Sequence, residues 1–314
     1  MKSCLINYHF LKSFVLSLIM TLVFIPFNGQ CLSADKTPVI LDADTGNEVD
    51  DPYAIVQALL NPEWQILALN AVQWQTSHWA VPQSMENSHR LNQTILGYMD
   101  LSIKTCRGGV ARMFDWGDQA QHSAAAYEII KQAHAMPSGK KLTIIALGAL
   151  TNVASAIYID PSIEPQLCLY WLGSSYDFNT GIMHKTDFNC VMDIQALEIM
   201  LGSSVEMHIM PHTVAAAMEF NFTETVAALK DRHPLGDFLV NRWARHLDNG
   251  RKHRVIWDLA LVQAMIHPEW TEQTGPVVLH DYAEHPVYFY KTIQADKMKQ
   301  DFFNNLQLYF KRSQ

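Results

Sequence analysis

Four aspartates crowd into ten residues at Asp42, Asp44, Asp50 and Asp51, inside the run ILDADTGNEVDD at residues 40–51. Two unit negative charges ~4 Å apart repel by about 4 kcal/mol at an effective dielectric of 20, and each added carboxylate adds further pairs. A fold that gathers three of them needs a cation, and hard oxygen ligands point to Ca²⁺ or Mg²⁺. The plainer alternative has Asp50 capping a helix and Asp51 favouring its dipole. That alternative leaves the two acids ahead of them unexplained.

The elements that must position these acids are legible on either side. PVILDA (38–43) reads as a strand and DPYAIVQALL (51–60) as a helix. Asp42 and Asp44 lie two apart along the strand, so they share one face. Further strands are expected at 64–72, 141–148, 166–173 and 205–210, and helices at 82–97, 123–135, 150–158 and 193–202. The second half is more helical, at 222–231, 235–248 and 257–267, with DNGRKHRV (248–255) read as an exposed basic loop and an aromatic tail over 286–311. This alternation with continuously apolar strands predicts an α/β fold, a mostly parallel central sheet with helices on both faces. Ligands of such sheets bind beyond the carboxyl ends of the strands, where the aspartates fall.

Here the sequence resembles the inosine-uridine preferring nucleoside hydrolase family. The resemblance starts at DADTGNEVDD, which is similar to the family's Asp-x-Asp, short Gly loop and Asp-Asp, in a variant with a longer loop. It continues at ALGALTNVA (146–154), LGSSYDFNTG (172–181), DFNCVMDIQAL (187–197) and IWDLALVQAMIHPEW (256–270). Each motif is weak alone; together they follow the family's order over residues 38–270. The resemblance implies hydrolysis of the N-glycosidic bond of a ribonucleoside to ribose and free base. It implies a Ca²⁺ held by Asp44, Asp51, Asp258 and the Leu147 carbonyl, with Asp44 taking a proton from the attacking water. Asp50, Asn179, Asp187 and Asn189 would hold the sugar, and Asp42 would support the site from behind. Asp187 stands where the family has Glu, one methylene longer.

Many family members carry a His just before the late metal Asp, but here that position is Trp257. A purine-preferring branch instead has Trp there and sandwiches the base between aromatic rings, and Trp116 is the candidate second ring. Stacking favours purines through their larger π surface. The alternatives are core packing for Trp257 and an ordinary loop aromatic for Trp116. His246, His253 and Arg254, in a region that forms a flap in relatives, and Trp74, His78 and Trp79, after the second strand, are further residues that could approach the base. Asn152 reads as a helix-start residue.

Composition sets the boundaries. Residues 1–34 read as a secretory signal, with Lys2 and Lys12 ahead of an apolar stretch and small residues at Ser33 and Ala34. Residues 35–314 are then one catalytic domain, secreted or periplasmic. Losing those two lysines moves the formal charge from −8 to −10. That acidity argues against nucleic acid and anionic membranes as partners. The expected partner is a small nucleoside, and the resemblance implies a homo-oligomer. Cys106, Cys168 and Cys190 remain, an odd number without CxxC spacing, which argues against a disulfide scaffold or a zinc site.

Two other functions are compatible with parts of this pattern. Asp42-Ala-Asp44-Thr45 fits the DxDxT signature of haloacid-dehalogenase-like phosphatases, with Asp42 as nucleophile, but this leaves Asp50 and Asp51 without a role. A secreted nucleoside- or ribose-binding protein on the same scaffold would need no Asp44.

Overall fold

The computed structural model describes residues 36–113, 119–246, 251–280, 282 and 287–313. The expected signal segment and Trp116 lie outside the described residues.

The apolar runs form strands β1 (Thr37–Ala43), β2 (Trp64–Ala71), β3 (Thr105–Cys106), β4 (Leu142–Ala146), β5 (Leu167–Leu172), β6 (Ser175–Asp177), β7 (Ile182–His184), β8 (Glu206–Met210), β9 (Glu219–Asn221), β10 (His253–Val255), β11 (Thr271–Gln273) and β12 (Val287–Ile293). The helices are α1 (Asp50–Leu60), α2 (Ser84–Tyr98), α3 (Ala124–His134), α4 (Thr151–Ile159), α5 (Phe188–Met192), α6 (Ile194–Gly202), α7 (His212–Ala215), α8 (Phe222–Leu229), α9 (Pro234–Ala244), α10 (Trp257–Ile266) and α11 (Ala295–Arg312). Eight strands pair in the order β11-β12-β8-β5-β4-β1-β2-β3, all parallel except β11 against β12. β1 and β4 are buried almost throughout because helices cover both faces, which is why they read as unbroken apolar runs. One core cluster packs α1, α10 and α11 on one face, and a second packs α3, α4 and α6 on the other.

The basic stretch expected to be a solvated loop is partly a strand. His253–Val255 pair antiparallel with Glu219–Asn221, and Arg254 turns inward to 7 % exposure. Its guanidinium meets Glu48 at 2.7 Å, so a partner carboxylate distant in sequence makes burial tolerable. The short hairpin of β6 and β7 was also not foreseen, because three-residue strands carry too little periodicity.

Asn152 is a cross-link of the sheet as well as a helix-start residue. It is fully buried; its Nδ2 donates to Asp42 Oδ1 at 3.0 Å and to the Ala71 carbonyl at 3.1 Å, while its Oδ1 accepts from Gly109 N–H at 2.9 Å. One side chain thus ties β1, the end of β2 and the segment after β3 to the start of α4. Asn152→Ala leaves three buried polar groups without partners, and lowers stability by about 2–4 kcal/mol. A denaturant midpoint unchanged from the parent chain would contradict this account.

Candidate active site

The carboxyl ends of β1, β4, β5 and β8 and the starts of α1 and α10 converge on a cavity of about 370 Å³. Asp44, Asp50, Asp51 and Asp258 line one part of it. β1 delivers Asp44, the Asp44–Asn47 turn (Asn47 N–H to Asp44 carbonyl, 2.8 Å) swings the chain round, and α1 begins with Asp50 and Asp51. The helix starts without a side-chain cap on its amino end, so its two acids are not consumed as caps, although both stand in the first turn where the dipole favours them. Gly148 lets Asp44 in, since a Cβ there would stand 2.9 Å from the Asp44 carboxyl carbon.

Carboxylate oxygens of Asp50, Asp51 and Asp258 all lie within 4.8 Å of one another. All four acids are buried. Burial is the first cause that holds each carboxyl well above its usual range; the next is a neighbour's charge, from Asp50 at Asp44, Asp51 at Asp50, Asp44 at Asp51 and Asp50 at Asp258. Asp44 Oδ2, Asp51 Oδ1 and Asp258 Oδ1 are buried with no hydrogen-bond partner among the described residues, whereas Asp50 Oδ2 accepts the Asp258 N–H at 3.4 Å. Buried oxygens of this kind are costly unless something positive meets them. Three hard-oxygen donors around one cavity fit a divalent cation such as Ca²⁺ or Mg²⁺.

Two arginines brace the loop that carries the acids. Arg242, on α9, donates through Nη2 to the carbonyls of Gly46 at 2.8 Å and Glu48 at 3.1 Å. Arg254 holds the Glu48 side chain at 2.7 Å.

Asp42 points elsewhere. It is fully buried, does not line the cavity, and gives one oxygen to Asn152. A nucleophile must reach its substrate, so the phosphatase alternative fails on position. The support role expected for Asp42 agrees with this placement.

The sugar-holding set divides. Asn189 is 8 % exposed and lines the cavity, and its Nδ2 donates to the Leu147 carbonyl at 2.8 Å and the Leu172 carbonyl at 2.9 Å. A carbonyl has two lone pairs, so Leu147 keeps one acceptor site, and the Asn189 Oδ1 has no hydrogen bond among the described residues. Asp187 also lines the cavity, but caps α5: Oδ1 accepts from Ser174 N–H at 2.8 Å and Cys190 N–H at 3.2 Å, and Oδ2 from Asn189 N–H at 3.3 Å. The expected sugar role for Asn179 is corrected. It is exposed in the turn between β6 and β7, where its N–H donates to Asp177 Oδ1 at 2.8 Å, and it does not line the cavity. Turn chemistry accounts for it.

The other part of the cavity is aromatic. Trp257 lines it, half-buried, with its ring centroid 6.3 Å from that of His212. Trp79 and Phe188 line it as a stacked pair, 5.4 Å apart at 18°, and Trp79 Nε1 donates to Asn47 Oδ1 at 2.9 Å. Of the tryptophans after the second strand, Trp79 is the one that faces the cavity; Trp74 is buried with its Nε1 on Ser88. Sequence reasoning missed Asn47, Glu48, Phe188 and His212. Asn47 and Glu48 sit in the longer aspartate loop and Phe188 inside DFN, which was signal enough. His212 gave only its place just after β8, at the ligand edge of the sheet.

The profile of the family described as inosine-uridine preferring nucleoside hydrolase matches residues 39–290. Uridine nucleosidase 1 of Arabidopsis thaliana is 24% identical over 216 residues, 62% of this chain and 61% of that protein. The pyrimidine-specific ribonucleoside hydrolase RihB of Escherichia coli O157:H7 is 25% identical over 190 residues, 56% of this chain and 59% of that protein. The chain thus spans about three-fifths of the length of these two relatives. Among solved structures, an inosine-guanosine nucleoside hydrolase superposes with a TM-score of 0.67 at 18% identity, over 87% of this chain and 99% of that one, which establishes a common fold. With the profile covering most of the chain, this protein belongs to the inosine-uridine preferring nucleoside hydrolase family, a family of glycosidases.

Proposed function

We propose that this chain hydrolyses the N-glycosidic bond of ribonucleosides, purine ribonucleosides foremost, in a calcium-dependent reaction in which Asp44 accepts the proton of the attacking water. The observation that carries the reading is the set of partnerless buried oxygens on Asp44, Asp51 and Asp258, facing one cavity whose other part is aromatic. Asp44, Asp51, Asp258 and the free lone pair of the Leu147 carbonyl would hold the cation. Bound Ca²⁺ supplies a compact positive charge that offsets the aspartates and lowers the pKa of a coordinated water.

The remaining chemistry belongs to the chain. Asp50 and the open Oδ1 of Asn189 are acceptors for ribose hydroxyls. Asp187 contributes by holding the backbone around Asn189, and its carboxylate adds negative charge beside the sugar. As the C1′–N bond breaks, positive charge develops on the ribose ring and these carboxylates stabilise it. Water oxygen bonds to C1′, its proton passes to Asp44, and the bond pair leaves with the base. One displacement inverts the anomeric centre. Trp257, Trp79 and Phe188 offer π surface to the base, and a purine presents more of it. The names of the two curated relatives weigh the other way, towards uridine and pyrimidines, and make base choice the sharpest part of the test.

Ribose release from inosine, guanosine and uridine, followed with calcium and with a chelator, checks the reading. Turnover is expected with calcium, loss of turnover with the chelator, and a higher kcat/KM for the purines. Asp44→Asn and Asp258→Asn should each lower kcat by about 10³-fold or more. Tight nucleoside binding without ribose release would establish the binding-protein alternative, and faster uridine turnover would overturn the purine preference.

Proton linkage gives a second check. Burial lifts Asp42 from 3.8 to about 6 and holds Asp44, Asp50, Asp51 and Asp258 well above 3.8. A carboxyl with a raised folded-state pKa binds its proton more tightly folded than unfolded. Its contribution is full below about pH 4 and is lost as pH rises through the folded value, about 6 for Asp42. The ion-free protein should therefore show a thermal midpoint that falls between about pH 5 and about pH 8, and calcium should reverse much of that fall because it binds the deprotonated ligands. An ion-free midpoint that rises over this range, or one indifferent to calcium at the upper end, would be the contrary result.

A further inference from the structure

We propose that His212, at the carboxyl end of β8, is the proton donor to the departing base. The inference deepens the proposed nucleoside hydrolysis and rests on that reading. The chemical need is general. A heterocyclic base that leaves without a proton leaves as an anion, and a positioned acid contributes typically 10²–10⁴-fold. At the head of α10 the chain has Trp257, whose indole N–H can donate a hydrogen bond but does not transfer its proton near neutral pH.

The geometry points to His212. It follows Pro211 at the end of β8, lines the cavity, and sets its ring beside that of Trp257 at a 63° interplanar angle. Its own N–H donates to the Ser174 carbonyl at 3.0 Å, and its Nδ1 meets the same carbonyl at 2.7 Å. A carbonyl only accepts, so Nδ1 carries a proton in either charge state of the ring. The tautomer is thereby chosen, and Nε2 is the one ring atom left to gain or give a proton. Nε2 makes no hydrogen bond among the described residues.

The anchoring carbonyl is itself built for the purpose. Ser174 holds φ +63°, the left-handed region a serine seldom adopts, and is fully buried. Its N–H is fixed by the Asp187 carboxylate at 2.8 Å, and its hydroxyl has no partner. Strained backbone of this kind persists only where the surroundings over-determine it, and it collects at functional sites. One peptide segment therefore receives Asp187 at its N–H and His212 at its carbonyl.

His212 as imidazolium gives its Nε2 proton to a ring nitrogen or carbonyl oxygen of the base as the C1′–N bond pair moves onto the base. Water oxygen bonds to C1′, and the proton it loses goes to Asp44. Neutral base and ribose leave. Solvent then takes the proton from Asp44 and returns one to Nε2, so the net reaction is nucleoside plus water to ribose plus base.

The test compares leaving groups. p-Nitrophenyl riboside departs as a stable phenolate and needs little help from an acid, whereas inosine needs a proton. His212→Asn keeps an amide donor near the Nδ1 position for the Ser174 carbonyl and removes Nε2; His212→Gln places an amide near Nε2 that cannot transfer a proton. With calcium present, both variants should lose about 10²–10⁴-fold in kcat on inosine and less than about 10-fold on p-nitrophenyl riboside. Equal losses on the two substrates in both variants would make His212 a structural residue, and undiminished inosine turnover would remove it from the reaction; either overturns the proposal. A parent chain that cleaves neither substrate would instead overturn the nucleoside hydrolase reading on which it stands.

Discussion

The rest of the site depends on one constraint: four buried carboxyl groups line one cavity, three of them, Asp50, Asp51 and Asp258, with oxygens within 4.8 Å of one another, and there are too few donors to satisfy them. In a medium of low dielectric, neither full ionisation nor the orphaned oxygens of Asp44, Asp51 and Asp258 are tolerable without a compensating charge. Two arginines stand close, and the charge of Arg242 lowers the pKa of the Asp51 carboxyl, yet burial and the neighbouring acids still hold that carboxyl well above its usual range. Arg242 gives Nη2 to backbone carbonyls of the aspartate loop, and Arg254 is engaged by Glu48. Both hold the shape of the loop, and the oxygens in the cavity keep their demand for a cation.

The parallel sheet makes that arrangement possible. β1 and β4 lie side by side and end at the same level, so Asp44 and Leu147 arrive together, with Leu147 N–H on the Asp42 carbonyl at 2.8 Å. α1 and α10 pack on one another and both begin with acids at the cavity. Trp171 Nε1 closes on the Gly148 carbonyl at 3.0 Å and pins the turn against which Asp44 rests. A glycine there is a requirement of contact distance, since the backbone passes where a side chain would strike Asp44.

What could be read in the sequence followed from how local each signal is. The strand and helix positions were legible because continuous apolar runs and helical spacing repeat over many residues; β1, β2, β4, β5 and β8 all fall where those runs predict. The acids of the first loop were legible because carboxylates in strand-end and helix-start positions have few other uses together, whereas Asp258 was reached through the family resemblance. The misjudged features are those that a distant partner decides. Arg254 read as solvated because nothing near it in sequence announces Glu48, and Asn179 read as a sugar ligand because a polar side chain in a turn looks the same whether the turn faces the cavity or solvent. His212 was missed for the same reason, since its significance lies in a carbonyl 38 residues away.

Asp187 shows how a shorter side chain can still serve such a site. Three backbone N–H groups, from Ser174, Asn189 and Cys190, converge on its carboxylate. Each bond fixes a different neighbour. Holding Asn189 at its N–H sets the amide that bridges the Leu147 and Leu172 carbonyls, towards the acidic part of the cavity. Holding Ser174 fixes the peptide whose carbonyl receives His212, on the aromatic side. A glutamate would reach further into the cavity, but its longer, freer stem would hold these amides less rigidly. At this position the shorter acid trades reach for the alignment of both ends of the cavity, and one carboxylate couples the groups at its acidic end to the groups at its aromatic end.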